Sequence, residues 1–126
     1  MHAPCDGDLV EVRSYPGELF PVNSISERHI PDFLARNRRV AIELNSGSPA
    51  DGGFGTVTIV MVAAMVVGRT TVTGIEARDV PLGVHHLKPA RRLTRGDELG
   101  VFHIGSTAVL FTEPELGDVV TRAHGP

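Results

Sequence analysis

The sequence predicts an all-β protein: a small single-domain β-barrel or barrel-sandwich with one or two short helical turns. Turn signals built on glycine and proline recur at short intervals, and the chain contains 14 glycines and 9 prolines. Short runs of β-branched and apolar residues lie between these turns, a spacing typical of sandwiches and barrels. With 126 residues, the chain has the length of one domain with one hydrophobic core.

Six segments between the turns have the composition of strands. The longest apolar run begins at Thr56 and ends at Val67, and it is apolar on both faces. We therefore expect a central strand covered on both sides, with a bend near Ala63 and Ala64. The predicted strands are Leu9–Arg13, Val40–Asn45, Thr56–Met65, Thr70–Ala77, Leu99–His103 and Thr107–Phe111.

One segment departs from the β pattern. Good helix formers follow Pro31, and proline is favoured in a first helical turn. The sequence therefore predicts a short helix from about Pro31 to Arg36 that ends at Asn37. Toward the other end, residues 117–126 are polar and are expected to form a tail beyond a β domain of residues 1–116.

The composition excludes several classes of function. A net charge of −3 with 21% charged residues gives no nucleic-acid-binding surface, and no phosphate-binding glycine loop is present. The single cysteine, Cys5, excludes an internal disulfide and is expected to be a small buried filler. Six histidines are scattered, and the adjacent His85 and His86 would point to opposite faces of a strand, so no metal site is expected.

Two basic stretches need an explanation. The run from Arg36 to Arg39 is expected to be a solvated face. The second stretch is expected to be a solvated basic loop, with an anion-binding loop for a phosphate head group or a carboxylate as the alternative. Its basic residues are His85, His86, Lys88, Arg91, Arg92 and Arg95.

The stretch VFHIGSTAVLF, residues 101–111, places a glycine and two hydroxyls inside an apolar run. Glycine weakens a strand and often marks a bulge or a close backbone approach. The structural interpretation is a bend between two short strands. The chemical interpretation is that the chain cleaves itself between Gly105 and Ser106.

A set of motifs in a fixed order favours the chemical interpretation. The segments are HAPCDG (2–7), PGELFPVN (16–23), FLARNRRV (33–40), VMVAAMVVG (60–68) and GDELGVFHIGST (96–107). They resemble, in the same order, the motifs of the phosphatidylserine decarboxylase family. The last segment is the most specific, because it matches the whole Gly-x-Glu-x-Gly-x-Phe-x-x-Gly-Ser-Thr signature.

The resemblance implies a mechanism. Members of the family cleave the bond between the glycine and the serine of the signature, here Gly105 and Ser106, and the serine becomes a pyruvoyl cofactor. That group captures a substrate amine as a Schiff base and acts as the electron sink for loss of CO₂. The histidine of the His-x-Pro motif, here His2, would activate the serine. The residues expected to bind substrate are Phe20, Asn23, Phe102, His103 and Thr107.

The chain also departs from the family pattern. Arg38 stands where the family has a glutamate, and Ala63 where it has a glycine. The resemblance implies a further region before the His-x-Pro motif, with membrane-binding helices and an aspartate that orients the histidine, and this sequence is expected to lack it. Asp6, Asp97 and Glu98 are the candidates to replace that aspartate.

Three interpretations therefore remain open at this point. The favoured one is a pyruvoyl-dependent carboxy-lyase acting on an amino-acid-like or phosphatidylserine-type amine. The second is a barrel without pyruvoyl that binds, cyclises or isomerises a small apolar molecule, and the third is a fragment or one subunit of a two-part enzyme. The expected partners are a small-molecule or lipid amine, a second copy of the chain or a subunit supplying the upstream region, and no nucleic acid. The expected location is the cytoplasm, peripheral to the membrane where the substrate is a lipid.

Overall fold

The computed structural model describes residues 1–19, 28–29, 31–48, 53–63, 69–77, 79–102 and 107–113. These residues form seven strands and one short helix, so the all-β prediction is confirmed. The elements are β1 (Gly7–Tyr15), α1 (Phe33–Arg36), β2 (Arg39–Asn45), β3 (Thr56–Val62), β4 (Thr70–Val72), β5 (Gly83–Leu93), β6 (Gly100–Phe102) and β7 (Thr107–Phe111).

Five of the strands form one antiparallel sheet in the order β5-β1-β2-β3-β7. A second sheet consists of β4 paired with β6. Within the described part of the chain, β5 and β7 are the outer strands of the large sheet and do not pair with each other. The sheet is therefore not closed, and the barrel form of the prediction is wrong.

The core lies on one face of the large sheet because apolar residues alternate along its inner strands. In β2, Val40, Ile42 and Leu44 are buried, while the residues between them are only partly buried. β3 follows the same alternation, with Val57, Ile59 and Met61 buried. This strand lies inside the sheet as predicted, but its second face is only partly covered. Val72 of β4 and Leu99, which directly precedes β6, reach the same core.

The basic stretch predicted to be a loop forms β5, the longest of the described strands. Most of its residues are exposed, so the solvated part of the prediction is right and the loop is wrong. Its pairing with β1 is interrupted, because Glu11 pairs with His86 and Leu9 with Arg91. Val10 therefore stands opposite the four residues 87–90, a bulge that contains Pro89. Proline and basic residues are typical of edge strands, because they block further strand pairing.

The remaining elements differ from their predictions mainly in length. β4 ends at Val72, because the chain turns at Thr73 and Gly74, and the strand predicted to reach Ala77 is therefore too long. The helix is shorter than predicted at its start and ends at Arg36 as expected. The predicted tail, residues 117–126, lies outside the described residues. In the described ranges, no helix has the length and apolar character needed to cross a membrane.

Candidate functional site

The apolar stretch that contains the Gly-Ser bond consists of two strands that belong to different sheets. β6 ends at Phe102 and pairs with β4, whereas β7 starts at Thr107 and pairs with β3. The chain therefore passes from the small sheet to the large sheet over the four residues between them. His103, Gly105 and Ser106 fall in this passage and lie outside the described residues. The two short strands of the structural interpretation are present, and the bend expected between them lies outside the described residues.

The two residues that flank this four-residue connection lie beside consecutive residues at the end of β3. Thr107 pairs with Val62, and the next residue of the chain, Ala63, packs against the Phe102 side chain. Ala63 and Val62 are both buried, whereas Phe102 and Thr107 are partly exposed. Of the residues expected to bind substrate, Thr107 thus lies beside Val62 and Phe102 lies against Ala63. Phe20 and Asn23 lie outside the described residues.

His2 is fixed to the strand that leads into the Gly-Ser bond. It forms an antiparallel bridge with Glu98, four residues before Phe102. Backbone hydrogen bonds on both sides extend the bridge: the Ala3 amide donates to the Asp97 carbonyl (2.7 Å) and the Leu99 amide to the Met1 carbonyl (2.9 Å). The first residues of the chain therefore act as a third, short strand beside β6, with the exposed His2 side chain on its surface.

The three carboxylates considered as partners for His2 have different surroundings. Asp6 accepts a hydrogen bond from the Arg95 amide (2.6 Å), and Asp97 accepts one from the Thr94 amide (2.8 Å). Both carboxylates therefore accept hydrogen bonds from backbone amides of the turn at residues 94–97. Glu98 is directly opposite His2, and side chains of a directly opposed antiparallel pair lie on the same face, with Cβ atoms about 5 Å apart. Glu98 is therefore the carboxylate best placed to reach the imidazole.

Arg38, one of the two departures from the family pattern, joins the two sheets behind this site. Its Nη1 lies 2.5 Å from Oδ2 of Asp79, and its Nη2 donates to the Val80 carbonyl. Asp79 in turn accepts a hydrogen bond from the amide of Thr70, the residue that pairs with Phe102. Burial acts to raise the pKa of Asp79, but the hydrogen bonds from Arg38 and Thr70 outweigh it, and the pKa lies below its ordinary value.

The sequence did not reveal this ion pair, because its partners are 41 positions apart and Asp79 belongs to no motif. The expectation of a solvated face for residues 36–39 is also wrong for most of that run. Asn37 is fully buried, and Arg39 lies over the Tyr15 ring with its Cζ 5.0 Å from the ring centroid. Arg36, whose side chain is paired with Glu18, fits the expectation because it is half exposed.

The segment of residues 16–18 is hydrogen-bonded to residues 36–38, at the end of α1. The amide of Glu18 donates to the Arg36 carbonyl and the amide of Arg38 donates to the Glu18 carbonyl, both at 2.9 Å. A Cβ at Gly17 would lie 2.5–2.6 Å from backbone atoms of residues 36–38. Glycine is therefore required at this position by a close approach of two backbones.

Cys5 is buried, as predicted. Burial raises the pKa of its thiol, and this effect outweighs a hydrogen bond with Ser46 that acts in the opposite direction. Among the residues that the structure describes, no three histidine, cysteine, aspartate or glutamate side chains are arranged to hold a metal ion.

Comparison with known proteins agrees with the motifs. The family model for phosphatidylserine decarboxylase matches residues 1–124. Proteins named phosphatidylserine decarboxylase proenzyme are 37% identical in Psychrobacter arcticus (87% of this chain, 38% of that protein), Acinetobacter baylyi (91% and 38%) and Variovorax paradoxus (92% and 41%). The chain thus spans about two fifths of the length of these relatives. It belongs to the phosphatidylserine decarboxylase family.

Proposed function

We propose that this chain carries the self-cleaving, pyruvoyl-forming part of a decarboxylase that acts on a phosphatidylserine-type amine. The bond cleaved is that between Gly105 and Ser106. The observation that supports the proposal most is the family match, which includes the complete signature around this bond. The hydrogen-bonded position of His2 on the strand leading to the same bond supports it further.

The first step of the proposed cleavage is an exchange of an amide for an ester. His2 takes the proton of the Ser106 hydroxyl, and the oxygen attacks the carbonyl carbon of Gly105. The carbon–nitrogen bond of the peptide breaks, and the freed Ser106 nitrogen takes up a proton. Gly105 has no Cβ to hinder the approach of the hydroxyl to this carbonyl.

The second step separates the two fragments. Removal of the α-proton of Ser106 expels the ester oxygen together with Gly105, whose carboxylate becomes the end of the first fragment. The unsaturated residue left at position 106 adds water and releases ammonia, which leaves a carbonyl at the start of the second fragment. Fragments of residues 1–105 and 106–126 result.

The residues of this chain fit a pyruvoyl group, because the group is made from the backbone and side chain of Ser106 itself and needs no further ligand. Once formed, it would supply the electron sink for loss of CO₂ from an amino acid. Phe102 and Thr107 flank the site at the crossing between the sheets and would contact the substrate. Since the chain spans about two fifths of its relatives, a partner that supplies the remaining region belongs to the proposal.

Intact mass measurement tests the cleavage directly. We expect the purified chain to appear as two fragments that divide between residues 105 and 106, with the second fragment lacking a free amino terminus. Ser106→Ala should stay whole, and Thr107→Ala is the matched control that retains the nucleophile and should still divide. Incubation with a serine phospholipid and borohydride should add mass to the second fragment alone. A wild-type chain that keeps its full mass after days near neutral pH would contradict self-cleavage by this chain.

A further inference from the structure

The bulge of β5 forms one wall of a surface cleft of about 520 Å³. The facing wall is the turn after β4, which includes Gly74. Four residues of β5 bulge outward opposite Val10, and the basic residues Lys88 and Arg91 both line the cleft. In a regular strand, residues three apart would point to opposite faces, so the bulge is what brings these two cations together.

The cleft is shaped by packing and not only by exposed side chains. A Cβ on Gly74 would lie 2.7 Å from Cδ2 of Leu87 and 3.6 Å from Cδ of Arg91. The turn therefore lies directly against Leu87, which also packs on the hydrophobic core, and the Arg91 side chain passes close to the same turn. Arg91 is exposed, so its guanidinium is accessible to a ligand at the wall of the cleft.

Within the described part of the chain, Lys88 and Arg91 have no acidic partner, and no aspartate or glutamate is among the residues that line the cleft. The neighbouring Arg92, by contrast, lies 3.6 Å from Asp8. His86 also lines the cleft, although its Nδ1 is 3.4 Å from Oε1 of Glu11. The local charge is positive in a chain whose net charge is −3.

We propose that the cleft between the β5 bulge and the Gly74 turn binds a phosphate group through Lys88 and Arg91. A guanidinium beside an ammonium is a pair that suits the several oxygens of a phosphate. The volume leaves room for a small group attached to the phosphate, so a lipid head group and a soluble phosphate are the two sources of the same chemistry. The inference is independent of the self-cleavage proposed above, because it uses no residue of that site.

Binding is tested on the 126-residue chain with Ser106→Ala, which keeps the protein in one form whatever the outcome of the cleavage experiment. The probes are inorganic phosphate, glycerol 3-phosphate, and vesicles of phosphatidylcholine with and without phosphatidylglycerol. Amide shifts in nuclear magnetic resonance spectra should change around Lys88, Arg91 and Gly74 on titration with glycerol 3-phosphate. Binding of the soluble phosphates identifies a soluble ligand, and binding of the anionic vesicles alone identifies a lipid head group.

Two double variants that remove equal positive charge distinguish a specific phosphate site from general electrostatic attraction. Lys88→Gln with Arg91→Gln should weaken binding by at least about tenfold, because two charge-assisted contacts are lost. Arg92→Gln with Arg95→Gln removes the same charge from the end of β5 and the turn after it, outside the cleft, and should change binding by less than about twofold. Equal losses in both pairs, or no binding of any probe, would overturn the proposal. If the double variant melts early, the single variant Lys88→Gln, at an exposed position, replaces it in the comparison.

Discussion

Arg38 and Asp79 form an ion pair, with Nη1 and Oδ2 2.5 Å apart, that joins the large sheet to the small one. Arg38 directly precedes β2, and its carbonyl accepts a hydrogen bond from the amide of Ala63. Asp79 binds the amide of Thr70 at the start of β4. Both departures from the family pattern, Arg38 and Ala63, thus lie in one connected group of residues behind Phe102.

The first prediction concerns the contribution of this ion pair to stability. Asp79→Ala should lower the free energy of unfolding by about 2 kcal/mol, because it leaves a largely covered guanidinium and an amide without their acceptor. Asp8→Ala removes a carboxylate from a longer and more exposed pair and should cost less than about 0.5 kcal/mol. Urea unfolding of both variants measures the difference, and equal midpoints would contradict the role given to Asp79.

The second prediction concerns the pH dependence of the same pair. The pKa of Asp79 is lower in the folded protein than in the unfolded chain, so its contribution is fully present above the unfolded value. That contribution is lost as the pH falls through the folded value, below about pH 4. The stability advantage of the wild type over Asp79→Asn should therefore be constant near neutral pH and shrink in acid. An advantage that grows in acid would have the wrong sign.

The third prediction concerns two carboxylates that oppose each other on neighbouring strands. Glu11 of β1 pairs with Glu43 of β2, and the hydrogen bond from Arg13 is the main cause that lowers the pKa of Glu11. Glu11→Gln should lower the melting temperature at neutral pH, because Arg13 and His86 lose their anionic partner. Glu43→Gln is the matched control: it removes a carboxyl group opposite Glu11 and places there an amide that can donate to Glu11, so the melting temperature should hold or rise. The reverse order of the two variants would refute this assignment.

The fourth prediction concerns Gly17. Gly17→Ala should destabilise the protein by about 3 kcal/mol, because its Cβ would meet backbone atoms that cannot move aside as a flexible side chain can. Gly96→Ala is the comparison: Gly96 has a positive φ of 91° and open space around it, so only backbone strain of about 1 kcal/mol is added. Thermal unfolding should rank the two variants in this order. A smaller effect at Gly17 than at Gly96 would mean that the two backbones can separate.

The sequence is most informative where local pattern and tertiary structure agree. The alternation of buried and partly buried residues in β2 and β3 is visible in the sequence, and both strands begin within one residue of their predicted starts. β5 was missed because Lys88, Pro89 and its arginines are poor strand formers. They are tolerated there because β5 is an edge strand with a bulge, which only the assembled sheet reveals.

The candidate site was predictable only as a set of motifs. Gly105, Ser106 and His2 stand out because they match family signatures, but no local pattern indicates that residues 1–3 pair with residues 96–100. Likewise, Arg38 reads as one of three arginines in a basic run, and its ion pair with Asp79 depends on contacts between distant parts of the chain. Pairing across a long sequence separation is set by the packing of the whole domain.

The last prediction concerns the partner of His2 and rests on the proposed self-cleavage. Loss of the base in His2→Ala should slow the division at Ser106 by roughly 10²–10⁴-fold. Glu98→Gln should slow it by about tenfold, because Glu98 is directly opposite His2 and would fix the orientation of its ring as a positioning residue. Glu98→Asp keeps a carboxylate opposite His2 and should recover part of the lost rate, a difference that damage to the fold alone would not produce.

Asp97→Asn is the matched control: Asp97 accepts a hydrogen bond from Thr94, so this variant should affect melting more than the cleavage rate. Rates followed by intact mass decide the matter, and a larger loss of rate in Asp97→Asn than in Glu98→Gln would show that Asp97, and not Glu98, has this role.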